Sequence, residues 1–109
     1  MPQPTIGHIV HYTLTEADAK AINKRRADFY AFQQTLAGTP DPGHRGATGH
    51  VAHLGNQASA GDVCPAMVVR TFGGAAANLQ VILDGTDTYW ATSRSEGEGA
   101  GFWAWPPRV

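Results

Sequence analysis

Residues Gly61 to Val109 read GDVCPAMVVRTFGGAAANLQVILDGTDTYWATSRSEGEGAGFWAWPPRV, and this stretch decides the fold. From Asp62 to Phe72 side chains alternate, with Cys64, Ala66, Val68, Arg70 and Phe72 on one side and Val63, Pro65, Met67, Val69 and Thr71 on the other. Pro65 has no N–H to give to a ladder, which marks an edge or a bulge near the strand start. Gly73-Gly74 with the alanines after them predict a flexible turn. Asn78 to Asp84 alternates most clearly. Leu79, Val81 and Leu83 point to a core, and Asn78, Gln80, Ile82 and Asp84 point away from it. Asp84-Gly85 is a strong hairpin signal. Thr88 to Ser93 follows as a strand with Tyr89 and Trp90 on opposite faces. After the loose acidic loop Ser95 to Gly101, a last short strand Phe102 to Trp105 is stopped by Pro106-Pro107. Residues 61–106 thus predict a β-meander of four strands.

Working back from there, residues 38–60 form a long Gly-rich connection that carries His44, Arg45, His50 and His53. The histidine spacing fits no zinc pattern, and the chain's one cysteine, Cys64, adds no second ligand, so no metal site is expected. Its piece Gly49 to Leu54 has the pattern of a short extra strand. Residues 15–36 predict a helix. Thr13 and Thr15 are both N-cap candidates, Thr13 and Glu16 have capping-box spacing, and Glu16 and Asp18 place negative charge in the first turn. Ala19, Ile22, Phe29 and Leu36, with Phe32 beside them, form an apolar stripe that docks the helix on a sheet. Arg26 interrupts the stripe and is expected to snorkel outward. Residues 5–12 predict a first strand with Ile6, His8, Val10 and Tyr12 on one face and Gly7, Ile9 and His11 on the other.

One strand, one helix, a long loop and four meandering strands predict a mainly β single domain over residues 1–109, a small SH3-like antiparallel barrel with an inserted N-terminal helix. An OB-like Greek-key barrel is the runner-up. In the SH3-like arrangement the first and last strands pair. Composition narrows the function classes. Eight Lys and Arg against nine Asp and Glu leave no basic excess, which argues against general nucleic-acid binding. A single cysteine suits a reducing compartment, and neither a leader-like N-terminus nor a membrane-length apolar run is present, so a cytoplasmic protein is expected.

The pieces GHIVHY (Gly7 to Tyr12), GDVCPAMVVR (Gly61 to Arg70), NLQVILDG (Asn78 to Gly85), YWATS (Tyr89 to Ser93) and WAWPPRV (Trp103 to Val109) resemble, in order, a family of small uncharacterised proteins of tailed phages and prophages. The resemblance implies a setting, phage biology inside a bacterial host, rather than a mechanism.

No catalytic arrangement stands out, and no cofactor is expected. Cys64 lies in an apolar strand where a thiol packs as a small hydrophobe, Asp84 and Asp87 flank a turn, and no phosphate loop follows Gly73-Gly74. Aromatic and polar groups point instead to binding. Trp90, Trp103 and Trp105 suit stacking on a flat ring, with Arg70, Asn78, Gln80, Thr92 and Arg94 as polar partners, Arg70 either pairing a carboxylate such as Asp84 or meeting an anionic ligand. The competing role for the tryptophans is the barrel core. These residues predict a non-enzymatic phage accessory protein that sequesters a small nucleotide-type ligand, such as a host immune signal, as a homo-oligomer. The alternatives are a head, neck or tail component of the phage particle, and an inhibitor that binds a host protein.

Overall fold

The structure is a computed structural model, and it describes residues 3–36 and 56–107. Its elements are β1 (Ile9–Thr13), α1 (Glu16–Leu36), β2 (Val63–Thr71), β3 (Ala76–Ile82), β4 (Thr88–Ser95) and β5 (Trp103–Ala104). The strands form one antiparallel sheet in the order β4-β3-β2-β1-β5. The sheet curls into a half-barrel compatible with a small SH3-like barrel, and the first and last strands pair through His11–Ala104 and Tyr12–Trp103. At the far end of β4 the curl closes on β5. Gly97 N donates to Trp103 O at 3.0 Å, and the Trp103 indole N–H is shared between the carbonyls of Ala75 and Arg94, each at 3.1 Å.

The core lies inside the curl. Val10, Tyr12, Ala66, Val68, Ala77, Leu79, Val81, Ala91 and Trp103 come from the sheet, and Ile22 comes from the helix. Alternation explains most of this set, since Val10, Ala66, Val68, Val81 and Ala91 each sit beside an exposed neighbour on their strand, while Ala77 and Leu79 flank the buried Asn78. The structure corrects the alternation in β2. The register with β3 slips between Val68 and Arg70, a β-bulge, so Arg70 leaves the side of Ala66 and Val68 and becomes exposed opposite Asn78. A second slip between Ala77 and Leu79 is matched on β4, where Ser93 has a positive φ of 52° and donates its N–H to the Asn78 side chain at 2.7 Å. The strand bounds also shift. Gly7, at φ 94°, turns the chain so that the first strand starts at Ile9 rather than Thr5. Ala76 and Ala77, expected in the Gly73-Gly74 turn, begin β3, where Ala77 pairs with Thr71 on β2 and Arg94 on β4.

The helix cap is Thr15 with Asp18, not Thr13 with Glu16. Asp18 N donates to Thr15 Oγ1 at 2.9 Å and Thr15 N donates to Asp18 Oδ2 at 3.0 Å, a reciprocal capping box. Among the described side chains of α1, Asp18, Ala19, Ile22 and Arg26 are buried, whereas Phe29 is 47% and Phe32 58% exposed. The expected stripe, whose Leu36 side chain lies outside the described residues, is therefore broken after Arg26, which does not snorkel. Its Nε and Nη2 donate to both carboxylate oxygens of Asp87 at 2.9 Å, and its remaining N–H groups reach the carbonyls of Asn56 at 2.8 Å and Asp84 at 3.1 Å. Helical periodicity fixes the phase of a stripe but not how far the sheet beneath it extends, and here the sheet ends at the β3–β4 turn. His44, His50, His53 and the Gly49 to Leu54 piece lie outside the described residues.

Candidate functional site

Alternation and register together put one row of side chains on the outer, convex side of the sheet. Ile9 pairs with Met67, Met67 with Gln80, and Gln80 with Trp90, so the row crosses β1, β2, β3 and β4. Each member sits next to inward-facing core residues on its strand, which turns it outward. Trp90 is 57% exposed, Ile9 and Met67 are also exposed, and Val63 and Ile82 extend the apolar surface on one side of the row. Thr92, exposed, follows Trp90 along β4.

The bulge at Val69 brings Arg70 to this surface. It stands opposite Asn78, two residues along β3 from Gln80. From the spacing of strands and the rise per residue, the backbones of Trp90 and Arg70 lie about 12 Å apart. The Arg70 guanidinium rests 5.6 Å from the centroid of the exposed Phe72 ring, and no carboxylate among the described residues pairs with it, Asp84 included. Asn78 is buried, and its Oδ1 holds the Ser93 N–H, so its service is to the β4 bulge. Five of the eight residues singled out from sequence, Arg70, Asn78, Gln80, Trp90 and Thr92, thus belong to or border one outer surface.

The other three turn inward. Trp103 is fully buried and its indole N–H is bonded to backbone, which leaves no ring face for a ligand. Trp105 is half-buried, packed edge-on against Trp103 at 5.3 Å and against His8 at 5.0 Å. Arg94 lies inside the curl, where Nη2 reaches Asp18 Oδ1 at 3.3 Å and its guanidinium stands 5.7 Å from the Tyr12 ring centroid. These three build the barrel rather than a stacking platform.

The Arg94 contact belongs to a cluster that sequence reading missed. Asp18, 1% exposed, accepts from the Tyr12 hydroxyl, from Thr15 N, from the Tyr89 hydroxyl at 3.0 Å and from Arg94. Tyr12 is on β1 and Tyr89 and Arg94 are on β4, so one helix carboxylate ties strands separated by two others in the sheet. Burial pushes the Asp18 carboxyl up, but the bonds from Tyr12, Thr15 and Tyr89 outweigh it and hold it below the ordinary range. Burial, then the Asp18 carboxylate, pushes the phenols of Tyr12 and Tyr89 up. The Asp18 carboxylate is saturated with internal donors and therefore acts as a clasp, while Nε of Arg94 is buried with no hydrogen-bond partner among the described residues. In the sequence Asp18 had the look of an ordinary first-turn acid, and only the curl of the sheet brings its three side-chain donors together.

A cleft of about 400 Å³ opens where α1, residues 56–62 and the ends of β2 and β3 meet, with Cys64, Asp62 and Asp84 in its wall. Burial, then the nearby Asp62 carboxylate, pushes the Cys64 thiol up, which keeps it protonated and a poor nucleophile. Among the described residues no helix is long and apolar enough to cross a membrane, and no group of metal-ligating side chains converges. Comparison with protein-family models, curated proteins and solved structures gave no match.

Proposed function

We propose that this protein is a non-enzymatic binder that holds a small nucleotide-type ligand on the outer face of its sheet and so sequesters it. The observation that carries the reading is Trp90, more than half exposed on a β-strand directly opposite the Gln80 side chain. A ring fixed on a rigid strand offers a nucleobase a stacking face at little entropic cost, and the neighbouring amide can donate to and accept from a base edge. Arg70 supplies a guanidinium without a carboxylate partner among the described residues, at a distance suited to a phosphate whose base lies on Trp90. In the phage setting that the sequence resemblance implies, the ligand is a nucleotide signal of host defence, and the protein acts in the host cytoplasm.

The test is native mass spectrometry of protein purified from an infected, defence-activated bacterial host, followed by titration of the recovered compound against wild type, Trp90→Ala and Arg70→Ala. A bound nucleotide mass, with affinity reduced at least tenfold in both variants, is expected. Protein that carries no small molecule, or a ligand indifferent to both substitutions, defeats the proposal. One further observation favours a second reading. Ile9, Val63, Met67 and Ile82 widen the apolar surface beyond one flat ring, as a protein-binding face would. Stoichiometric presence in purified particles would identify a virion component, and a defined complex on pull-down would identify an inhibitor of a host protein.

A further inference from the structure

The sheet has two edges, β5 and β4, and they differ in how they are guarded. β5 is two residues long and runs into Pro106-Pro107, so it offers almost no ladder to a neighbour. β4 is eight residues long and holds no proline or lysine, and its one charged side chain, Arg94, lies inside the curl. Just past β4 the chain is tied down, since Glu96 N donates to Ala75 O at 3.3 Å and Gly97 N to Trp103 O at 3.0 Å. From Thr88 to Thr92, among the described residues, nothing bonds to the outer side of the strand. Leu83 N donates to Asp87 O at 3.4 Å, which sets the phase of the β3–β4 ladder. Bonded pairs alternate from there, so Tyr89 spends its backbone groups on Val81 and Ala91 on Leu79. Thr88 and Trp90 therefore aim N–H and C=O away from β3. Thr92 does the same, because the Ser93 N–H turns back to the Asn78 side chain and the trans peptide sends the Thr92 carbonyl the other way. We infer that a second copy of the chain pairs with this edge, β4 against β4 in antiparallel register about a two-fold axis at Trp90. The pairing goes beyond the ligand reading and does not depend on it.

Self-complementarity selects a second copy. An axis at Trp90 sets Trp90 opposite the partner's Trp90 and Thr88 opposite the partner's Thr92. Opposite residues of antiparallel strands share a face, and Thr88, Trp90 and Thr92 are all exposed on the outer one, so outer face meets outer face. Every free N–H on one edge then meets a free C=O on the other. That makes about six bonds, within the range of about 5–15 for a typical interface. Threonine beside threonine and aromatic beside aromatic are favourable cross-strand pairs, and no like charges meet. Bonded pairs bring Cα atoms to about 5.5 Å, which puts the two Trp90 rings in contact. The arrangement is isologous, so it closes as a dimer and consumes the edge that would otherwise admit further strands. The two outer faces become continuous, with an Arg70 on either side of the Trp90 pair.

Sedimentation over a broad concentration series should show a monomer–dimer equilibrium for the wild type. Thr88→Lys with Thr92→Lys sets like charges opposite each other across the axis, and it should weaken the dimer at least tenfold in dissociation constant. Thr88→Lys with Thr92→Glu sets opposite charges at the same positions, and it should associate at least tenfold more tightly than the first variant. Far-UV circular dichroism should not distinguish the three. In a Cys64→Ala background, Thr88→Cys mixed with Thr92→Cys should form a disulfide between chains that neither variant forms alone. A purified wild type that stays monomeric overturns the inference, as does a dimer equally tight in both charge variants. A Thr88→Cys chain that cross-links to itself also overturns it, since the strands would then lie in another register. Nucleotide binding by a monomer would leave the ligand reading standing without the pairing, and a cross-linked dimer without nucleotide would do the reverse.

Discussion

Replacing Asp18 by Ala tests the clasp most directly. Asp18 is 1% exposed and accepts from Tyr12, Tyr89, Arg94 and the backbone of Thr15. The substitution leaves the fully buried Tyr12 hydroxyl without its acceptor and Arg94 without its counter-ion, and it removes half of the capping box. Removing one partner of a buried charged pair costs about 3–5 kcal/mol. Arg94 is 30% exposed on its side chain and can recover water, which places the expected loss near the lower end, about 3 kcal/mol. A domain of this size has about 5–15 kcal/mol to lose. The assay is equilibrium urea unfolding followed by tryptophan fluorescence. At a slope of about 1–1.5 kcal/mol/M, the midpoint should fall by about 2–3 M with the slope unchanged. Tyr89→Phe removes a single bond and should cost about 1 kcal/mol. Asp18→Asn keeps the shape but turns an amide donor toward other donors, and it should fall between the two. A loss below about 1 kcal/mol for Asp18→Ala would refute the reasoning, because it would mean that the buried tie between β1 and β4 contributes little to stability.

Other outcomes follow from the helix and its partners. The Arg26 bonds, against the opposing effect of burial and with further help from Arg25, hold the Asp87 carboxyl at about 2, below its ordinary 3.8. A depressed carboxylate stabilises the fold above its unfolded value and loses that contribution as pH falls through the folded one. Acid titration of stability should therefore show about 2 kcal/mol disappearing between about pH 4 and pH 2, and Asp87→Asn should remove that component. Phe29→Ala, read at protein concentrations too low for association, should cost less than about 1 kcal/mol, whereas Leu79→Ala, at a fully buried position, should cost about 2–5 kcal/mol in the same urea titration.

The sequence by itself determined the elements and most of their faces. Leu79, Val81 and Leu83 alternate with Asn78, Gln80, Ile82 and Asp84 in a short, regular run that marks a half-buried strand, and the helix from Glu16 carries its own start signals. Gln80 and Trp90 share a face because inward and outward positions on neighbouring strands stay in phase wherever pairing is regular. Tertiary structure decided what a single strand cannot encode. A bulge adds one residue and turns Arg70 to the other face, and a bulge depends on two strands at once. The core role of Trp103 depends on where the edges of the curl meet, and its pattern along the chain was equally that of a platform. The exposure of Phe29 depends on where the sheet stops under a helix whose apolar period continues past it. Asp18 became a clasp only when Tyr12, Tyr89 and Arg94, far apart in sequence, converged on its carboxylate. Periodicity is a local property that short-range sterics impose on every turn and strand, whereas register, closure and convergence are set by distant segments competing for the same few contacts.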